Sequence, residues 1–333
     1  VVNLARQGIA VDVDYVKAQY NSLSPQIRKD AKIILLPVAA QSGVVYGMNN
    51  KTGAVVPFQF ARASGATFFD SDKNMQPIGA NIPRIDYGNY SDDAKLLIEK
   101  TATNLISDSA DFSRWGGSVL CTMDESTADG FENYWKIEKN VNSSSESITY
   151  NPGVTISGSA EYVLRIYVKK GSSDKIALGM YVEAGSGWGA SPDSTARIIS
   201  GSGSLSQAQG SMWTVSDLTD DGALVEITRN ILPTDTGSVV IFIYPDTAAS
   251  FDQGAYNFIA SAQLEMNIRS TSYIPTSGST ATRSADLLAY TLPDDCEVYL
   301  KTTRQETTLQ KQAGIWNLHE DLNNEGIIAL AIL

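Results

Sequence analysis

The chain has 333 residues, 43% of them apolar and only 19% charged, and carries a net charge of −12 at pH 7. That much apolar side chain fills one large or two ordinary cores, which excludes a disordered tail. An acidic excess with no basic block excludes binding to a phosphate backbone, which needs Lys and Arg to displace counterions. The low charge leaves the surface to Ser, Thr, Asn and Gly, the composition of strands and tight turns.

In chain order, Asp12 is placed to cap a short helix with Val13, Val16 and Tyr20 on one face. Ser24 followed by Pro25 starts a second helix through Lys32, and Ile33–Val38 reads as a strand. One narrow apolar stripe per helix cannot stabilise such a piece alone, so residues 1–57 are expected to form an N-terminal attachment segment that docks onto a partner or onto copies of itself. No apolar run reaches the ~20 residues that span a bilayer, and Ile33–Ala40 is interrupted by Pro37. The start lacks the cationic-then-apolar pattern of a secretion signal, so the protein is expected to be made in a cytoplasm.

From Phe58 the period changes to two. Tyr162, Leu164, Ile166 and Val168 alternate with polar or opposite-facing residues, as do Ile176, Leu178, Met180 and Val182, and then Tyr256, Phe258, Ala260, Ala262 and Leu264. Val239–Tyr244 is continuously apolar and is expected in mid-sheet with both faces covered. Gly171–Asp174, Gly185–Gly187, Gly201–Ser204 and Asp220–Gly222 supply turns between the runs. The pattern predicts a mainly β chain, an antiparallel β-sandwich of jelly-roll or lectin-like type over 58–290. A C-terminal β element over 291–333 ends in Gly326–Leu333, whose apolar side chains must pair with the same domain or with another subunit.

His319, the one histidine, stands in a polar stretch, Asn317–Asp321, with no Gly-x-Ser-x-Gly elbow elsewhere. Asp12/Asp14, Asp92/Asp93, Asp220/Asp221 and Asp294/Asp295 sit at helix starts and turns, where acids are ordinary caps, although a carboxylate pair across a cleft is how glycosides are hydrolysed. No catalytic residue is assigned on this basis. Cys121 and Cys296 stand apart from each other and from His319, so a zinc site is not expected; two small buried thiols are expected, with a Cys121–Cys296 disulfide as the alternative. No glycine-rich stretch makes a phosphate cradle, no cofactor or metal is assigned, and calcium in a sandwich loop stays open. Tryptophan is the better lead. Trp115 and Trp135 are expected to cap the core, whereas Trp188, inside Gly185–Gly189, and Trp213 are candidates to stack on the apolar face of a sugar ring.

Two stretches carry a family resemblance. One is Phe60–Asp70, Asn81–Tyr87, Leu96–Glu99, Thr103–Leu105 and Asp111–Trp115; the other is Ala262–Glu265, Thr271–Thr276 and Ala281–Asp286. In this order they resemble the head spike, head fibre or tail fibre proteins of tailed bacteriophages. The resemblance implies a non-enzymatic component of the virion surface with a carbohydrate-binding-module-like sandwich. It further implies a homotrimer; residues 1–57 lie outside the matching stretches, and their expected role in joining capsid, neck or tail proteins follows from their position and weak self-sufficiency alone. Weak multivalent adhesion to host or environmental glycans would follow, without nucleic acid and without insertion in a membrane. Within it, Arg62 and Arg283 would be architectural, pairing with acids such as Glu99 and Glu265. A tail-fibre adhesin and a glycan depolymerase acting through paired carboxylates are the alternatives.

Overall fold

The computed structural model describes residues 13–333 except 73, 89–93, 118, 125–133, 141–145, 158–159, 174, 185–186, 189–193, 198–210, 217–221, 232–235, 247–251 and 323. At 13–15, 18–19, 36, 38, 124, 156–157, 175, 181–184, 187–188, 194–197, 211–216, 222–223, 229–231 and 236 it describes the backbone alone. The cap expected at Asp12, the Asp92/Asp93 and Asp220/Asp221 pairs and the turn at 201–204 lie outside the described residues. Two compact units form: Val1–Thr101 together with Arg283–Leu333, and Ala102–Thr282. The expected boundaries near 57 and 290 are corrected, because the strand Val55–Ala61 runs through the first and Leu287–Leu292 through the second. These two strands pair with each other, Ala61 opposite Leu287, so a cut at either place would open a sheet.

The first unit is built on a ten-stranded sheet whose main path runs from Glu306–Lys311 through Cys296–Thr302, Glu325–Ile332, Ile33–Gln41, Val44–Asn49, Val55–Ala61 and Leu287–Leu292 to Gly314–Asn317. The apolar end of the chain is therefore a central strand. Leu330 and Ile332 enter one core with Ile33, Leu35, Phe58 and Leu300. Ala329 and Ala331 enter another on the opposite face with Val16, Leu23 and Ile34. Both faces are covered, which is why the run is apolar at consecutive positions. The helices Val13–Ser22 and Pro25–Asp30 supply that second cover. The second helix begins as its sequence dictates: the Ser24 hydroxyl accepts from the Ile27 amide at 3.2 Å, and Pro25 fills the first turn, where no donor is needed. Residues 13–57 thus dock onto the C-terminal strand of their own chain, Ile33 opposite Ile332 and Leu35 opposite Leu330.

The second unit is a β-sandwich. One sheet has the order Leu120–Asp124, Tyr134–Glu138, Tyr256–Glu265, Ala160–Lys169, Gly222–Ile231, Ser211–Ser216. The other runs Gly187–Trp188, Lys175–Ala184, Thr236–Tyr244, Ile148–Tyr150, Gly116–Gly117, with Thr155–Ser157 and Ser194–Arg197 added at its sides. Tyr162, Leu164, Ile166 and Val168 from the first sheet share one core with Ile176, Leu178, Met180, Val239, Ile241 and Ile243 from the second. Gly117, at φ 131°, is needed for its close approach: a Cβ there would lie 2.2 Å from the Ser147 carbonyl oxygen.

Two expectations fail in this unit, both at aromatic residues. Tyr256–Glu265 does not keep one alternation, because Ile166 pairs with Ala262 and Tyr167 with Ala260, leaving Ser261 as an extra residue at φ 22°. Past this bulge Ala262 and Leu264 point into the core, while before it Ile259 does, and Tyr256 and Phe258 stand half-buried on the outer face. Val239–Tyr244 is central in its sheet, but its outer face is covered unevenly, with Val240 buried there. Phe242 and Tyr244 stand half-buried on the outside.

Candidate functional site

Period-two alternation along Thr236–Tyr244 sends Val239, Ile241 and Ile243 inward and Phe242 and Tyr244 outward. The two ring centroids are 6.4 Å apart and their planes differ by 17°. Two residues along a strand rise about 6.6 Å, so the rings stand side by side in one row rather than piled on each other. Their neighbours across the sheet are small. Gly179 and Thr149 flank Phe242, Ala177 lies opposite Tyr244, and Gly116 lies beyond Thr149. The rings therefore project above the strands on either side. The strand end beyond Tyr244 is fixed: the Ala177 amide donates to the Asp246 carbonyl at 3.0 Å, Ser173 donates its hydroxyl to Asp246 Oδ1 at 2.8 Å, and Asn257 Nδ2 donates to the Pro245 carbonyl at 2.7 Å. Two near-parallel rings on a rigid central strand, with carboxylate and hydroxyl groups at its end, make a surface on which flat C–H faces can stack.

Trp188 lies in the same sheet, on the short strand Gly187–Trp188, where its backbone pairs opposite Glu183. Trp213 lies on the edge strand of the other sheet, in register with the core residue Ile227. The two tryptophans singled out from the sequence are thus on opposite sheets, and both side chains lie outside the described residues. Trp115 and Trp135 are core residues, their indole N–H groups donating to the carbonyls of Asp108 at 3.3 Å and Ala110 at 2.8 Å. Phe242 and Tyr244 escaped the sequence reading because an unbroken apolar run looks the same whether one face of its sheet is open or both are closed.

The four residues expected to be architectural are buried in two separate places. In the first unit Arg62, Arg84 and Arg283 surround Asp286 and Glu99. Arg62 Nη1 lies 3.0 Å from Asp286 Oδ1, Arg84 Nη2 lies 2.8 Å from Glu99 and also pairs with Asp286, and Arg283 Nη2 lies 3.3 Å from Glu99. Carbonyls of Ser64, Gly79, Thr67 and Lys100 take further guanidinium protons. Burial draws Arg62 below its ordinary value, because it has one carboxylate, Asp286, and two neighbouring guanidiniums. Burial acts on Arg84 as well, but Asp286 and Glu99 together outweigh it and its value is raised. Glu265 is the exception: it belongs to the second unit, where it accepts from Gln263 Nε2 and from the Thr271 amide at 2.8 Å. Arg84 and Asp286 were within reach of the sequence, since both stand inside the motifs that carry the resemblance.

His319 is half-buried on the turn Leu318–Asp321. Cys121 and Cys296 are free and half-buried, and burial pushes the Cys121 thiol up to about 12, far from a reactive thiolate. Among the described residues no group of three or more His, Cys, Asp or Glu side chains is gathered to hold a metal ion, and no helix is long and apolar enough to cross a membrane.

No protein-family model matches the chain, and no curated protein is significantly similar to it. Among solved structures it is similar to the CBM22-1–GH10 modules of endo-1,4-β-D-xylanase 10B from Clostridium thermocellum complexed with xylohexaose. That similarity has 13% identity and a TM-score of 0.32, and covers 48% of this chain but only 28% of the xylanase. It is also similar to the CBM22-1 xylan-binding domain of Xyn10C from Paenibacillus barcinonensis, at 12% identity and a TM-score of 0.31 over 52% of this chain and 99% of that domain. The tandem CBM22-1–CBM22-2 domain of the same enzyme gives 10% identity and a TM-score of 0.32 over 69% and 89%.

Proposed function

We propose that this protein is a non-enzymatic component of a bacteriophage particle surface, a head fibre or spike, whose Ala102–Thr282 sandwich binds glycans through the outward rings of Phe242 and Tyr244. The observation that carries the reading is the near-parallel ring pair standing above Gly179 and Ala177 on a central strand. The ordered motifs from Phe60 to Asp286 support the phage assignment by resemblance. A site of two rings binds a sugar weakly, at about millimolar strength or −4 kcal/mol, but linked copies gain roughly 10²–10⁴ in avidity. Display as a homotrimer on a particle supplies those copies, and the first unit is the part that joins the particle. The copies meet through the uncharged half of that unit's sheet face, which includes Val44, Pro57, Leu287, Thr291 and Ile315.

The test is retention of the full chain in gels cast with neutral polysaccharides, or binding to a glycan array, before and after Phe242→Ala and Tyr244→Ala. The double variant is expected to lose at least tenfold in affinity, about 1.4 kcal/mol, with its circular dichroism unchanged. Equal binding by the variant would remove the ring pair from the site. Release of reducing ends from a bound polysaccharide would replace adhesion by hydrolysis.

A further inference from the structure

The sandwich has a second aromatic surface, on the outer face of the opposite sheet, and its chemistry differs from that of the Phe242–Tyr244 row. The Ser261 bulge turns Tyr256 and Phe258 outward. Phe258 lies in register with Lys136 on one neighbouring strand and with Lys169 on the other. Its half-buried ring therefore has a lysine on each side, each about 4.8 Å away in backbone spacing. Both ammonium groups are held over rings: Lys136 Nζ is 4.2 Å from the centroid of Tyr256, and Lys169 Nζ is 5.9 Å from that of Tyr134. Tyr256 meets Phe258 edge to face at 5.5 Å. It is seated against Gly171, where a Cβ would come within 2.4 Å of the tyrosine ring. Glu138 forms an ion pair with Lys136.

At its other end the same face is closed. Arg165 Nη1 donates to the Thr271 carbonyl at 2.5 Å, Thr271 donates its amide to Glu265 at 2.8 Å, and Ser270 bonds Glu226. The segment after Glu265 thus covers Arg165 and Gln263, both buried, and leaves the Lys136–Phe258–Lys169 row half-open. A neutral sugar stacked on Phe258 would use the ring alone, and a small inorganic anion the ammonium groups alone. A sugar ring bearing a carboxylate uses both.

We infer that this row is a second glycan site, selective for uronic-acid polysaccharides, with Phe258 as the stacking ring and Lys136 and Lys169 as carboxylate contacts. It does not depend on the Phe242–Tyr244 row. The chain's net charge of −12 repels polyanions at a distance, so retention of a polyuronate has to come from local contacts. Glu138 competes with the ligand for Lys136, which sets an unusual sign for one variant: removing its charge strengthens binding.

The experiment is affinity electrophoresis of the full chain in gels containing sodium alginate or polygalacturonate, with neutral xylan alongside. The wild type is expected to be retarded by the polyuronates. Lys136→Gln with Lys169→Gln, and separately Phe258→Ala, weaken this at least tenfold, Glu138→Gln strengthens it severalfold, and Phe242→Ala with Tyr244→Ala leaves it unchanged. The two lysines are surface groups whose loss spares the core, so the lysine variant keeps the test decisive if Phe258→Ala misfolds. No polyuronate retardation of the wild type, or retardation unchanged in the lysine variant, overturns the inference without touching the neutral-glycan reading. Loss of polyuronate binding only in the Phe242/Tyr244 variant assigns both ligands to one site and also overturns it.

Discussion

Asp286 is fully buried and has guanidinium groups on three sides, from Arg62, Arg84 and, at 3.7 Å, Arg283. Removing its carboxylate takes from Arg62 the acid it pairs with and leaves Arg84 and Arg283 to share Glu99. Breaking a buried pair costs more than the pair itself is worth, because the abandoned charge stays desolvated. Asp286→Ala is therefore expected to destabilise the first unit by about 3–5 kcal/mol, read as a lower urea midpoint. Tyr273 gives a prediction with a pH axis. Burial pushes its phenol up to about 12, against a smaller pull downward from its 2.7 Å bond with the Ser109 hydroxyl. The folded protein holds the phenolic proton more tightly than the unfolded chain, so stability is intact below pH ~10 and falls by about 2–3 kcal/mol as pH rises towards 12. Tyr273→Phe should be less stable at pH 7 by about 1 kcal/mol yet flatter across that alkaline window in chemical denaturation. At this scale the sequence was partly legible. Arg62, Arg283 and Glu99, which enter through the resemblance, lie in one cluster around Asp286, but Glu265 lies in the other unit. The Arg62–Asp286 contact spans 224 positions, and nothing local in a chain encodes which distant acid an arginine meets.

Elements were more legible than their faces. The Ser24–Pro25 start and the strands 160–169 and 175–184 follow from capping and from period two. The bulge at Ser261 did not, because bulges that need a positive φ are usually marked by glycine and this one is not. Its consequence is large: one extra residue moves Tyr256 and Phe258 from core to surface. Ser261 also keeps a buried hydroxyl with no hydrogen-bond partner among the described residues. Ser261→Gly relieves the backbone and removes that hydroxyl, and is expected to raise stability by about 1–2 kcal/mol, seen as a melting temperature a few degrees higher. Ser261→Val, β-branched at the same φ, should lower it. The central strand Thr236–Tyr244 was placed correctly in its sheet, and the half-buried position of Phe242 and Tyr244 on its outer face was not foreseen, since hydrophobicity reports burial of a strand and not what lies across from each side chain.

At the scale of the molecule, the apolar terminal run reads in sequence as a strand that must pair with its own domain or with another subunit. In the fold it is already enclosed, because Glu325–Ile332 has Cys296–Thr302 on one side and Ile33–Gln41 on the other. The case for a trimer has to rest elsewhere in the first unit. Its helix-side core takes in the sheet face around Ile34, Ala329 and Tyr299 and reaches Tyr46, Met48 and Val55, and beyond these lie the outward residues Val44, Pro57 and Gln59 and those of Leu287–Leu292 and Gly314–Asn317. These outward residues include no charged side chain, and Ile315, on the edge strand, is 75% exposed. Copies that each carry −12 repel unless they meet where no charge is desolvated, and this half-face meets that condition. Light scattering of the purified chain is expected to give three times 35.8 kDa. Ile315→Glu should return it to the single-chain mass with unchanged circular dichroism, because the residue faces away from both cores. A wild-type chain of single mass would retire the trimer, and a trimer indifferent to Ile315→Glu would move its interface to another surface. Neutral-glycan adhesion should follow the same series: if avidity supplies the affinity, the Ile315→Glu monomer loses roughly 10²-fold or more on a dense glycan surface while its affinity for a soluble oligosaccharide stays that of the trimer's single site.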